Sequence, residues 1–311
     1  MSSKKQSAKS FVLDLLSLPW PFSSRPVRSG LLALLRIEYN PPMFTDYPNG
    51  GKAICTISID YDHLTKSPES TQARWLPLAR TDRLEQNAVG TKTLIDLCEK
   101  YEVPMTWAVT GCTAEQDPGS YELVEHASVR HEIGVHTYSH LDVSSASREE
   151  LLADIQRCLQ VLQLRTKPRS FVFPWNRAGH FDILKELGFN AFRSQKRSIR
   201  APLSRDGMWD FSPVYYLDTL SIRSSKIICK YVDLCISCGA VFHMWSHPWS
   251  IVSGDSAEAM SREVLTPLFR HLNKRKESGE IAIMTMGEIS NYLEKRGTSS
   301  ASESVHSVDV S

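Results

Sequence analysis

Three short stretches of the chain carry side chains able to hold a metal ion and move protons. The first, Ile57-Ser-Ile-Asp60-Tyr-Asp62-His63, has two carboxylates two residues apart. The second, Glu132-Ile-Gly-Val-His136-Thr-Tyr-Ser-His140, has two imidazoles four apart. The third, Val241-Phe-His243-Met-Trp-Ser-His247-Pro-Trp249, has two more histidines. Each has an ordinary structural explanation when taken alone: a D-x-D caps turns, and an isolated histidine pair packs in a core or faces solvent. Together they offer two imidazoles, a carboxylate ligand, a second carboxylate and a spare histidine, the parts needed for metal-assisted hydrolysis. Two histidines and one carboxylate suit a single divalent ion, Zn²⁺ first, with Co²⁺, Fe²⁺ or Mn²⁺ as substitutes.

Those groups can cooperate only if a scaffold gathers them. Apolar runs read as strands at 53–60, 104–111, 131–136, 170–174, 189–193, 240–247 and 281–286, and between several of them helical spacing appears at 87–101, 121–130, 148–164, 181–187 and 258–276. Seven strands alternating with helices predict a parallel sheet, open or closed into a barrel. Function in such folds collects at the C-terminal ends of the strands. All three chemical stretches lie where a predicted strand ends.

The rest of the chain narrows the classes. Its 311 residues are 41% hydrophobic and 23% charged, with a formal charge of +1, so a nucleic-acid partner is not expected. No apolar run approaches the length of a transmembrane helix. The cysteine count is odd, seven, and Cys235-Ile-Ser-Cys238 is the one C-x-x-C, read as buried thiols rather than a zinc or redox motif. Free thiols and the lack of a clean leader favour the cytoplasm. Residues 1–50 read as an N-terminal extension, with apolar pieces at 11–20 and 31–35 that suggest helices packed on the domain or a peripheral membrane contact. Residues 51–297 form the predicted domain, and the Ser-rich stretch 298–311 a disordered tail.

The second stretch resembles the second motif of the polysaccharide deacetylase (NodB-homology, carbohydrate esterase) family. Pro104-Met-Thr-Trp107 and Phe189-Asn-Ala-Phe-Arg193 are similar to other family strands. The resemblance covers about residues 53–293. It implies a distorted (β/α)₇ barrel, one divalent metal and removal of an acyl group, most often acetyl, from the nitrogen of an amino sugar or glycan. His136 and His140 match the family's metal histidines. The first motif departs, Ser58-Ile-Asp60-Tyr-Asp62 having an inserted residue and no glycine; by resemblance to divergent branches Asp60 is the general base and Asp62 the ligand, the exchanged assignment remaining open. His247-Pro-Trp249 resembles the late histidine that acts as general acid, with His243 its rival or a packed core residue. In the third motif Val172 stands where the family often has an arginine that orients the base, and Arg193 on the next strand is the candidate to replace it. Pro174, Trp175, Asn176, Arg193, His243 and Trp249 are expected to line the substrate site. The competing activity is hydrolysis of a non-sugar C–N bond, as in allantoinase-like or imidase-like branches; a third reading is a non-catalytic carbohydrate-binding relative.

Overall fold

The computed structural model describes residues 37–39, 47–62, 80–164, 167–217, 224–252 and 257–305. A two-residue strand, β1 (Glu38–Tyr39), precedes the central strand β2 (Ala53–Tyr61). Helix α1 (Arg80–Tyr101) leads to β3 (Thr106–Val109), and α2 (Gly111–Gln116) with α3 (Pro118–Glu125) leads to β4 (Glu132–Val135). Next come α4 (Arg148–Leu162), β5 (Ser170–Val172), α5 (Phe181–Glu186) and β6 (Ala191–Arg193). Four short strands follow: β7 (Ser198–Ile199), β8 (Leu203–Arg205), β9 (Met208–Phe211) and β10 (Tyr215–Leu217). The described chain continues through α6 (Ser225–Cys238), β11 (Val241–Ser246), α7 (Pro248–Val252), α8 (Ala257–Met260), α9 (Thr266–Glu277), β12 (Ile281–Ile283) and α10 (Met286–Val305).

The main sheet runs β10-β11-β2-β3-β4-β5-β6-β9-β8 and is parallel except for the β8–β9 hairpin. Strand β12 pairs with the first half of β2 (Ala53–Cys55), while β3 pairs with the second half (Ser58–Tyr61). Among the described residues the sheet curls without joining β10 to β8, a distorted, open barrel of the (β/α)₇ type.

Strand β2 shows how sequence makes the site. All nine of its residues are buried, as expected of a parallel strand covered on both faces. Side chains alternate along a strand. Cys55, Ile57, Ile59 and Tyr61 join the large core beneath the helices. Ile54 faces the other way, into a smaller apolar cluster with Ala191, Phe211, Val241 and Met286. Thr56, Ser58, Asp60 and the residue after the strand end, Asp62, follow on that side. Strands β6 and β11 alternate in phase with it, sending Phe192, Phe242 and Met244 to the helix side. The barrel interior therefore has an apolar floor and a polar upper part, and the polar part is the site.

Helix α4 anchors one wall. Ser147 and Glu150 form a reciprocal capping box, and Leu151, Ile155, Cys158 and Leu162 make its buried stripe. Each large aliphatic side chain in such a stripe contributes about 1.5–3 kcal/mol on burial.

Several expectations differ from the structure in detail. Strands β7–β10 and helix α6 were not foreseen. The single helix expected at 258–276 is divided into α8 and α9 by a π-helical turn, Ser261–Leu265. Helix α10 extends to Val305, into the stretch expected as a disordered tail. Once nucleated over the packed residues Ile289 and Leu293, it meets no proline to stop it. The two apolar pieces expected as N-terminal helices lie outside the described residues. Cys235 and Cys238 sit in the last turn of α6 and all seven cysteines are free, so the C-x-x-C forms no disulfide. Among the described residues no helix is long and apolar enough to cross a membrane.

Candidate active site

At the C-terminal ends of β2, β4 and β11 the three chemical stretches meet. One ligand atom from each of Asp62, His136 and His140 falls within 4.8 Å of the other two, and all three residues are buried. His140 Nε2 lies 3.4 Å and His136 Nε2 3.9 Å from Asp62 Oδ2. His136 Nδ1 is 2.7 Å from the Val172 carbonyl oxygen, which can only accept, so Nδ1 carries the proton and the Nε2 lone pair faces the carboxylate. Such a fixed tautomer is what a metal-binding histidine needs. Burial lowers the His140 imidazole to about 4 and lowers His136 as well, keeping both neutral near pH 7. Two neutral imidazoles and a carboxylate that burial would raise but His247 holds low fit a divalent cation.

The loop that carries the pair is strained and pinned. Thr137 and His140 both adopt left-handed backbone, at φ 62° and 61°, a conformation that costs a non-glycine residue energy. Asp154 on α4 accepts the Tyr138 N–H at 2.5 Å, the Ser139 N–H at 3.2 Å and the Ser139 hydroxyl at 2.5 Å. It thereby fixes the turn between the two histidines. Nothing in the sequence marks Asp154, which reads as a solvated helix acid; only its fourteen-residue distance after His140, on the next helix, is a hint in retrospect.

Asp60 is not one of the three. Arg193 donates to both its oxygens, NH1 to Oδ1 and NH2 to Oδ2, each at 2.6 Å. Burial alone would raise the Asp60 carboxyl, but the guanidinium outweighs it and holds the group below the usual range. Arg193 is only 1% exposed. It was expected to touch substrate; its terminal nitrogens instead face Asp60, and the charge missing at Val172 arrives from the neighbouring strand.

His243 is also corrected. It is fully buried, with Nδ1 3.2 Å from the Phe211 carbonyl oxygen and Nε2 2.9 Å from the Ser58 hydroxyl. The carbonyl fixes the proton on Nδ1, so Ser58 donates to Nε2 and in turn accepts from Arg193 NH1 at 3.2 Å. Burial pulls this imidazole to about 3, leaving it neutral. His243 braces the arginine and does not line the cleft.

His247 faces the pair of acids, its Nε2 lying 3.7 Å from Asp62 Oδ2 and 4.0 Å from Asp60 Oδ2. Burial opposes its charge, but the two carboxylates outweigh that and raise its pKa. Nδ1 is 3.3 Å from the Tyr216 hydroxyl, a contact from β10 that the sequence did not reveal. Trp245 stacks on Tyr216 at 3.8 Å, and the Arg193 guanidinium lies 4.0 Å over the Trp245 ring. Trp249 is buried against His247, ring centres 4.7 Å apart, and so packs the imidazole more than it offers a free face. Trp175 is half-buried, edge-on to His140 at 4.7 Å, and donates from Nε1 to the His140 carbonyl at 3.3 Å. Trp175 and Asn176 take left-handed backbone beside the buried Pro174. Of the expected lining residues, Trp175 and Asn176 are half-buried, whereas Pro174, Arg193, His243 and Trp249 are buried.

Comparison with known proteins bears on the fold and on one of the three stretches. The family model described as polysaccharide deacetylase matches residues 82–191, a region that includes His136 and His140 but neither Asp60, Asp62 nor His247. A polysaccharide deacetylase structure from Mycobacterium smegmatis, identified as such only provisionally, is 17% identical and covers 84% of this chain and 96% of its own, with a TM-score of 0.63. A probable polysaccharide deacetylase from Pseudomonas aeruginosa PAO1 is 15% identical, covering 82% and 95%, with a TM-score of 0.59. The Puue allantoinase is 15% identical, covering 81% and 93%, with a TM-score of 0.57. No curated protein sequence matches the chain. The resemblance read in the second motif is thus matched by the sequence of that region, and the fold is the polysaccharide deacetylase fold.

Proposed function

We propose that the protein is a metal-dependent hydrolase that removes an acyl group, acetyl first, from the nitrogen of an amino sugar. The observation that carries this reading is the separation of two carboxylates: Asp62 stands with two neutral histidines, while Asp60, two residues away, stands apart, ionised by Arg193 and facing His247. That division suits one acid as ligand and the other as base. Asp62, His136 and His140 would hold the ion, zinc by the nature of its donors. A divalent ion bound there supplies Lewis acidity, acidifying water and polarising the amide carbonyl.

The protein's own groups do the rest. Asp60, oriented by Arg193, takes the proton from the attacking water. His247, raised in pKa and steadied by Tyr216 and Trp249, gives a proton to the departing nitrogen, which is otherwise a poor leaving group. Trp175 offers an aromatic face at the edge for a sugar ring.

A second reading, hydrolysis of a small non-sugar amide or ureide, is favoured by the depth of the site, whose metal trio is between 1% and 5% exposed. Acetate release from N-acetyl amino sugars, measured beside hydrolysis of cyclic ureides and imides with zinc-loaded and metal-stripped protein, decides between the two. Turnover of sugars that requires the metal is expected. Turnover of ureides alone, or of sugars without any metal, would overturn the reading.

A further inference from the structure

Helix α1 contributes a cation to this site that the chemistry above does not use. The helix starts at the C-terminal end of the barrel and runs back toward its floor. Its inward side is fixed by Asn87, Gly90, Thr91 and Leu94, all buried. Asn87 donates to Asp117, which also accepts from Tyr61 on β2, and Gly90 sits so close to Pro248 that a Cβ there would lie 2.0 Å from the Pro248 oxygen. Arg83 precedes Asn87 by four residues, one turn nearer the mouth on the same side. Its position is therefore set by the contact of the helix with α7, which follows His247, and, through Asp117 at the start of α3, by Tyr61 at the end of β2, next to Asp62.

Arg83 is half-buried, and among the described residues it makes no hydrogen bond or ion pair; its Nε is shut off from solvent without a partner. Burial works against its charge and the Asp62 carboxylate works for it, so the two groups lie within electrostatic reach. The other guanidinium at the site, Arg193, is taken by Asp60. With a dication against Asp62 as well, the acids at the site are neutralised and Arg83 is left as surplus positive charge. A partly desolvated guanidinium with no partner among the described residues is costly to keep unless something binds it.

We propose that Arg83 receives an anionic group of the substrate, phosphate or carboxylate. The inference rests on the deacylase reading and makes the substrate an anionic N-acyl amino sugar, such as a sugar phosphate or uronate. Guanidinium forms paired, charge-assisted hydrogen bonds with both groups.

The test compares N-acetylglucosamine, its 1-phosphate, its 6-phosphate and the corresponding uronate on the metal-loaded wild type, Arg83→Met and Arg83→Lys. Calorimetry of the deacetylated sugars on the same proteins reads binding apart from turnover. In the wild type kcat/KM should favour one anionic sugar over the neutral one by about ten- to a hundredfold, mainly through KM. Arg83→Met should collapse that ratio toward one, Arg83→Lys should recover part of it, and added salt should erode it. The phosphate and uronate arms tell which anion is taken. A ratio near one in the wild type, or one untouched by Arg83→Met, overturns the proposal even if every sugar is deacetylated. Charge-dependent binding that disappears in Arg83→Met, with no sugar hydrolysed, would instead keep Arg83 as an anion site and sink the deacylase reading. Neither hydrolysis nor charge-dependent binding would sink both.

Discussion

Two acids, Asp60 buried and Glu132 half-buried, lie at opposite ends of the parallel strands and are held by opposite means. At the C-terminal end, Asp60 meets a guanidinium with both oxygens, and its pKa falls. At the N-terminal end, Glu132 accepts from the Thr106 hydroxyl at 2.8 Å, the Ser170 hydroxyl at 2.6 Å and the Gly287 N–H at 2.8 Å, with no cation paired to it among the described residues. There burial outweighs the donors and the pKa rises. Asp60 is kept charged and aimed, whereas Glu132 ties β3, β4, β5 and the start of α10 into one knot. That knot includes a second reciprocal cap, Thr285 with Glu288, at the entrance to α10. One barrel thus separates its chemistry from its fastening, as expected when loops at the C-terminal face carry function and the other face carries stability.

The contrast breaks most sharply at the metal trio. His136→Ala and His140→Ala should each abolish tight binding of one divalent ion per chain and turnover with it, while leaving the fold intact. Elemental analysis with circular dichroism checks this, and full occupancy in both variants would remove the ligand assignment. Next in size is the base. Asp60→Asn should retain the metal and lose about 10²–10⁴-fold in kcat. Loss of the metal instead would exchange the two aspartates. Arg193→Met, which leaves Asp60 buried without its partner, should also lower kcat and shift the acid limb of the pH–rate profile upward, because the carboxyl regains a higher pKa.

His247→Ala should cost kcat within that same range, toward its lower part, with metal retained. A general acid must be protonated, so activity should fall as pH rises through its pKa. The raised His247 pKa puts that alkaline limb above the ordinary histidine value of about 6.5, less far above it once a dication draws on Asp62. His243→Ala should leave the limb in place and act through Arg193. A limb that disappears in the His243 variant and survives in the His247 variant would reverse their roles.

How far the sequence foretold this arrangement depended on range. The histidine pair and the two aspartates were legible because both members of each lie on one stretch, and strand-end placement filtered them. The sheet was legible where strands were long and apolar, as in β2 and β11. Strands β7–β10 have only two to four residues each and show no period, so pairing with neighbours alone defines them. Helix α6 did leave a signal, with Ile227, Ile228, Tyr231, Val232, Leu234 and Cys235 buried at helical spacing. Asp154, Tyr216 and the Ser58–His243 brace were illegible for another reason. Each acts on a group from a different element, and a contact between elements has no spacing to read.

The smallest effect sharpens the comparison of the two acids most directly, because it concerns stability. Removing Glu132 as Glu132→Ala strands two hydroxyls and one backbone N–H, at a cost of about 2–4 kcal/mol. Activity at moderate temperature should persist, since no group of the site touches Glu132. The sign of the pH dependence then separates the acids. Asp60 has a folded pKa below its unfolded value, so its contribution is present above about pH 4 and fades as pH falls through the lower folded value. Glu132 has a raised folded pKa, so its contribution is fullest below about pH 4 and fades as pH rises through the higher folded value. Glu132→Gln, which keeps an acceptor and removes the titration, should therefore flatten the stability curve on the side above pH 4. Asp60→Asn should flatten it below pH 4. Urea denaturation midpoints taken from pH 3 to pH 8 measure both, and if the two variants bend the curve in the same direction, the two ends of the barrel are not held by opposite means.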